Sequence, residues 1–197
     1  PDHLLAPIVA EGLASQGATI DVTNVENLEL GQPLHAFDAD LVVGPVTVRE
    51  SVAGESVQLL FDEVARTLPV GCLVIADEVG VIAMAGMMGG KRTSVSASTT
   101  KILLESGLFD PVSVRKTSRA LGIKTIGATR FERGGDLAML TRGVERVAYL
   151  LKTYCGASAP AQVNVVVRRP LPKRIIGLHA KEISAFLGHP LELRDSV

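Results

Sequence analysis

Between Gly44-Pro45 and Gly90 the chain breaks into short apolar runs, VTVRE, SVQLLF, CLVIADE and VIAMAG, each cut off by Gly, Pro or an Asp-containing turn. Runs this short and this rich in β-branched residues read as strands, not helices. Gly86, Gly89 and Gly90 then interrupt the pattern, and ILLES at 102–106 reads as a further strand. Its continuous apolar run predicts burial on both faces. The middle of the chain is therefore expected to be β-rich.

Helices are predicted on either side. Residues 3–16 alternate at helical spacing and meet a stop at Gly17. Asp110-Pro111 combines an N-cap carboxylate with proline at the first helical position, and Gly122 provides the stop. Asp136 opens a second helix with an apolar stripe at Leu137, Leu140, Val144, Val147 and Leu151, closed by Gly156. Residues 18–25, ATIDVTNV, alternate like a half-buried strand. The segment 31–38, GQPLHAFD, reads as a loop or turn opened by Gly31 and Pro33. QVNVVV at 162–167 reads as a strand, Pro170 and Pro172 bracket a linker, and His179 to Leu187 reads as a short helix before Gly188.

Composition removes several classes of function. Charged residues are 21% and apolar residues 47% of the 197, which suits a globular core that needs no metal or disulfide staple. Cys72 and Cys155 form no CxxC pair and the four histidines are scattered, so no metal site is predicted and a reducing cytoplasm fits. No apolar run approaches the roughly 20 residues that span a bilayer. Net charge is −1 and there is no Trp, against a general polyanion binder or a base-stacking platform. The charge is uneven, however: Arg115 to Lys152 holds nine Lys or Arg and three Asp or Glu. Such a region suits either a solvated helix face or proximity to a phosphate backbone. The first residue is not Met and the chain opens inside an apparent helix, so a piece of a longer protein is expected.

Few residues are placed where chemistry is expected. Glu105 stands in ILLES, where an isolated carboxylate is costly to bury. It reads as a ligand acceptor, as a partly exposed strand-end glutamate, or as a glutamate held by an arginine of RFERG (130–134). His35 is a lone histidine in a predicted turn, which is either structural or a holder of water. The glycines of AGMMGG (85–90) let backbone approach a ligand closely, or simply make a turn or bulge. No G-K-[ST] follows, so this is not a P-loop. Arg130, Glu132 and Arg133 are expected to form a buried ion network.

GQPLHAFD, AGMMGG and the run from ILLES through FDPVSVRKTSRALGIKT to RFERG, in this order and at these separations, resemble the editing region of bacterial phenylalanyl-tRNA synthetase β subunits. The resemblance runs from about Asp21 to Gly156 and more weakly beyond. It implies an α+β fold with a β-rich, sandwich-like core and flanking helices. It also implies a tail of a preceding domain at 1–20, an editing domain at 21–170, and a linker with the start of a helical domain at 171–197. The implied activity is hydrolysis of tyrosine from phenylalanine tRNA. His35 would sit near the scissile ester and Glu105 would read the tyrosyl hydroxyl, both as catalytic residues. Thr23 and Asn24, Gly86 and Gly89, and Thr125 and Gly127 would line the substrate. The implied partners are the aminoacylated 3′ end of phenylalanine tRNA and a synthetase α subunit in an α2β2 assembly. ATP and magnesium would serve the whole enzyme, with no cofactor in this segment. The chain departs from the family pattern at Ile126, Gly127 and Ala128, at FDE (61–63) and at GGDL (134–137). A structural or RNA-binding module that has lost editing is the alternative those departures raise.

Overall fold

The computed structural model describes residues 2–158, 163–167 and 175–190. The chain divides into two units, 1–159 and 160–197. The first is a mixed α+β body with antiparallel sheets and helices, as expected.

At the N-terminus, α1 (Asp2–Ala10) ends well before the predicted stop at Gly17, and Gly12 takes a left-handed conformation. The predicted strand at 18–25 is instead the first part of helix α2 (Ala18–Leu30). The alternation in ATIDVTNV was too short a window. The following ENLEL continues with good helix formers, and burial recurs at Val22, Val25 and Glu26, on helical spacing. Gly31, in the left-handed region, stops the helix.

The segment read as a turn at 31–38 contains β1 (Leu34–Asp38), because it has a partner far along the chain. β1 pairs antiparallel with β8 (Ile102–Ser106), His35 standing opposite Glu105 and Phe37 opposite Leu103. β8 is not buried on both faces, since Leu103 is 39% exposed. A four-stranded antiparallel sheet runs in the order β2 (Thr47–Glu50), β5 (Leu73–Ala76), β6 (Val81–Met84), β7 (Met88–Gly89). Ser56–Val57 (β3) and Arg66–Thr67 (β4) form a small ribbon. The predicted strand SVQLLF is thus mostly loop, with a single bridge from Leu59 to Gly90. A clasp holds the sheet loops: the Asp77 carboxylate accepts from the amides of Val43, Val79 and Gly80 and from Arg92. Burial alone would raise its pKa, but the guanidinium and the amides outweigh it and hold the pKa at about 2.

α3 (Pro111–Leu121) begins at Asp110, whose carboxylate accepts from Ser113 N at 2.7 Å, and ends at left-handed Gly122. α4 (Ile126–Phe131), a helix the sequence reading missed, is capped by Thr125. α5 (Leu137–Cys155) begins at Asp136 and stops at Gly156, as predicted.

The β1–β8 ribbon separates two apolar cores. Leu34, Ile102 and Leu104 pack with Ile8, Val22, Val25, Val147, Leu150 and Leu151, which come from α1, α2 and α5. Phe37, on the opposite face, joins the core of the four-stranded sheet, α3 and α4. Each fully buried aliphatic side chain contributes roughly 1.5–3 kcal/mol. Across the first core, Arg146 holds Glu29 through two bonds of 2.7 and 2.9 Å, tying α5 to α2.

In the second unit α6 (Ala180–Leu187) begins with Glu182 accepting from the His179 amide and ends at left-handed Gly188. Residues 163–167 of the predicted strand QVNVVV form no strand, and Val166 is 91% exposed. β-propensity depends on context and does not by itself make a strand. Gln162 and the linker from Pro170 to Pro172 lie outside the described residues.

One polar group strains the helical core. Glu26 is fully buried, and neither carboxylate oxygen has a hydrogen-bond partner among the described residues. Burial and the negative charge of Glu29 raise its pKa to about 8, with Arg130 opposing. A carboxyl that keeps its proton in the fold favours folding below pH 4.5, its ordinary value, and that contribution is lost as pH rises towards 8. Glu26→Gln is expected to flatten this loss, raising Tm by about 5 °C at pH 8.5 and changing it little at pH 4.5, read by thermal denaturation.

Candidate functional site

The antiparallel register puts His35 and Glu105 on the same face of the ribbon, where directly opposed residues have Cβ atoms about 4.5–5.5 Å apart. Alternation carries Phe37 and Leu103 to that face as well. Glu105 has no hydrogen-bond partner among the described residues, so the alternative that an RFERG arginine holds it is not what the fold builds. Burial raises its pKa to about 7. Burial lowers the His35 pKa to about 4, so the imidazole is neutral at ordinary pH. Its Nε2 is buried and unpartnered, and its ring meets Phe37 edge-on at 4.4 Å between centroids.

Both side chains lie against glycines. A Cβ at Gly89 would sit 2.3 Å from His35 Cε1 and 2.5 Å from Nε2. A Cβ at Gly107 would sit 2.6 Å from Glu105 Oε1 and 2.4 Å from the Phe109 ring. Backbone thus comes close to each group where any side chain would intrude. Gln32, buried in the GQPLHAFD segment, donates to the Gly107 carbonyl at 3.0 Å and so fixes the end of β8.

Thr125 joins this arrangement through the glycine loop. Its hydroxyl donates to the Met87 carbonyl and accepts from Ala128 N, both at 3.0 Å. Gly127 faces Pro33, with a Cβ position 3.8 Å from Pro33 Cβ. The three motifs therefore converge: Gly89 on His35, Met87 on Thr125, Pro33 on Gly127.

Three other expected residues make contacts of a different kind. Gly86 is left-handed, and its Cβ position lies 2.9 Å from Phe109 and 3.1 Å from Phe131, so its smallness serves the core. Thr23 and Asn24 lie on helix α2, not on a strand, and α2 packs against the Leu34 side of the ribbon. The Thr23 hydroxyl donates to the Ile20 carbonyl at 2.8 Å within its own helix. The expected buried network of RFERG is also absent among the described residues. Glu132 approaches Arg115 at 3.8 Å on the surface, while Arg130 and Arg133 form no ion pair. A network needs acids within ion-pair distance, and among the described residues Arg130 acts on the buried Glu26 without forming a pair.

Sequence reasoning missed Gly107, Gln32 and Phe109. Gly107 had a signal, a glycine two residues beyond the acid of ILLES. The other two acquire their meaning only from the strand pairing.

Gly89→Ala should displace the imidazole towards water and return the His35 pKa from about 4 towards 6.5, measured by NMR titration of the histidine ring. An unchanged titration would show that the ring does not rest on this glycine.

The B3/4 domain family model matches residues 1–156. The chain is 39% identical over 196 residues, 99% of its length, to the phenylalanine–tRNA ligase β subunit of Geobacter sulfurreducens, and covers 24% of that protein. It is 48% identical over 157 residues, 79% of its length, to the corresponding subunit of Protochlamydia amoebophila, covering 20% of it. The chain thus spans about a quarter of the length of these relatives. A solved N-terminal fragment of the phenylalanyl-tRNA synthetase β subunit from Pyrococcus horikoshii aligns over 53% of this chain and 39% of its own, with a TM-score of 0.41 and 16% identity, too weak a likeness to bear on the fold. By the family match over most of its length, the chain belongs to the B3/4 domain family.

Proposed function

We propose that this chain is the editing region of a phenylalanine–tRNA ligase β subunit, releasing tyrosine that has been attached in error to phenylalanine tRNA. The observation that carries the reading is the unpartnered Glu105 carboxyl, opposite a neutral His35 and beside backbone that leaves room for a ligand. Tyrosine is the larger of the two amino acids, so a size sieve cannot reject phenylalanine. A buried acceptor can: the tyrosyl hydroxyl satisfies Glu105, while phenylalanine leaves it unpaired. Sites built to bond a hydroxyl reject the deoxy analogue by roughly 10⁴–10⁵.

The chemistry asked of the site is modest. Water attacks the ester carbonyl carbon, the bond to the ribose oxygen breaks, and that oxygen leaves as a hydroxyl. His35, neutral because it is buried, holds the water through a ring nitrogen. Positioning accounts for much of the rate, because the aminoacyl ester is already activated. Thr125 and Gly127 close the far wall, and Gly127, lacking a Cβ, leaves room there. In this reading the chain works in the cytoplasm within an α2β2 assembly, with the α subunit and phenylalanine tRNA as partners. ATP and magnesium serve the aminoacylation step elsewhere in that enzyme.

The test is tyrosine release from mischarged phenylalanine tRNA by the assembled ligase carrying this chain. Glu105→Ala should reduce release about a hundredfold, and Glu105→Gln less. After subtraction of spontaneous hydrolysis, wild-type kcat/KM should rise with pH through about 7, as the carboxyl ionises and becomes the stronger acceptor for the phenol. Glu105→Gln should lose that inflection. Equal release by wild type and Glu105→Ala would instead identify a structural or RNA-binding module that has lost editing.

A further inference from the structure

On the outer side of Thr125 the surface opens into a hollow of about 590 Å³, lined by Lys124, Thr125, Ile126, Thr129, Arg130 and Arg133. Three of these six residues are cations and none is an acid. Arg49, Arg66, Arg92, Arg115 and Arg146 each have a carboxylate within 4.0 Å. Lys124, Arg130 and Arg133 have none among the described residues, and Arg130 Nε is buried without a hydrogen-bond partner. Arg119 and Arg142 also have no carboxylate within 4.0 Å among the described residues, but Lys124, Arg130 and Arg133 share one concavity.

The hydroxyls of the hollow are already committed. Thr129 donates to the Thr125 carbonyl at 2.9 Å, and Thr125 is engaged by Met87 and Ala128. The free donors are therefore the ammonium and the two guanidinium groups. A concave surface lined by three cations and no acid, of which only Arg130 acts on an acid elsewhere, the buried Glu26, favours a ligand with several negative charges and many acceptor oxygens.

Thr125 ties the hollow to the candidate site, since its hydroxyl bonds the loop whose Gly89 lies against His35. We infer that the hollow is a phosphate subsite: Lys124, Arg130 and Arg133 hold the phosphodiester backbone of a single-stranded RNA end whose terminal ester reaches the His35–Glu105 pair. The inference rests on the proposed editing role and adds to it the path by which the substrate is held. Arginine and lysine bond backbone phosphates without reading base identity, so this subsite gives orientation and affinity, not sequence choice.

The experiment compares the wild-type chain with the doubly substituted Lys124→Ser, Arg133→Ser. These two positions are exposed, whereas Arg130 carries a buried nitrogen whose loss risks the fold. The first probe is a short unmodified single-stranded RNA, titrated at several salt concentrations. Each phosphate contact contributes about 0.7 to the slope of log affinity against log salt, so the double variant should bind more weakly, with a slope lower by about 1.4. Arg133→Lys alone should keep most of the affinity, because the charge survives. The second probe is tyrosine release from two substrates, tyrosyl-tRNA and the tyrosyl ester of adenosine, which has no phosphate. The double variant should raise KM for the former and leave the latter unchanged.

RNA binding that is absent in wild type, or whose strength and salt slope are the same in both proteins, overturns the phosphate subsite. If RNA binding depends on the hollow but wild type releases no tyrosine from either substrate, the editing role fails and the subsite stands. If tyrosine is released equally by both proteins from both substrates, the editing role stands and the subsite fails. A loss of hydrolysis on the adenosine ester as large as on tRNA would assign the two cations to fold stability, again against the subsite.

Discussion

The pairing of β1 with β8 is the constraint on which the rest depends. It joins segments about seventy residues apart and sets which residues share a face. A slip of one residue would turn every side chain of the moved strand to the other face. His35 would then face the helical core in place of Leu34 and the candidate site would vanish. The register is pinned from both sides: Leu34, Ile102 and Leu104 into one core and Phe37 into the other. Ser106 adds a bond to the Leu140 carbonyl at 3.0 Å, holding the end of β8 against α5. Two hydrophobic cores thus fix one polar pair.

The site contains two half-buried titratable groups with no hydrogen-bond partner among the described residues. His35 keeps a neutral ring and Glu105 a raised pKa, and Glu26 behaves likewise in the helical core. Each is a local cost that ordinary packing would have removed. The His35 contribution favours folding above pH 6.5 and is lost as pH falls towards 4. The two carboxyls act in the opposite sense, favouring folding at low pH and weakening it as pH climbs towards 7 and 8. For the ribbon pair, the cost is understandable as readiness for a ligand. Glu26 packs against Gly143, where a Cβ would lie 2.7 Å from its carboxylate, and we have no physical account of why an acid occupies that place.

Local chemistry made the helices legible. Asp110-Pro111, Asp136, Gly122 and Gly156 are capping signals that act within one turn, so their meaning does not depend on the rest of the fold. The failures share the opposite cause. ATIDVTNV alternates but is carried into a helix by the residues after it and by packing on α5. Residues 163–167 of QVNVVV have the composition of a strand but are not assigned to one. GQPLHAFD reads as a turn until β8 is placed beside it. The site followed the same rule: His35 and Glu105 could be singled out by their surroundings in sequence, whereas Gln32 and Gly107 gained a role only from long-range register. Thr23 and Asn24 lie on a helix where a strand was expected, because the alternation around them was too short to fix the period.

The Asp77 clasp limits what evolution or engineering can put at that position. Its oxygens meet only hydrogen donors: three main-chain amides and a guanidinium. Asparagine would turn an NH₂ towards at least one of them, donor against donor. Serine is too short to reach all four, and glutamate adds a methylene to a side chain with no exposed surface. A residue remote from any chemistry is thereby left with almost no tolerated substitute, and the turns between β2, β5 and β6 inherit that inflexibility.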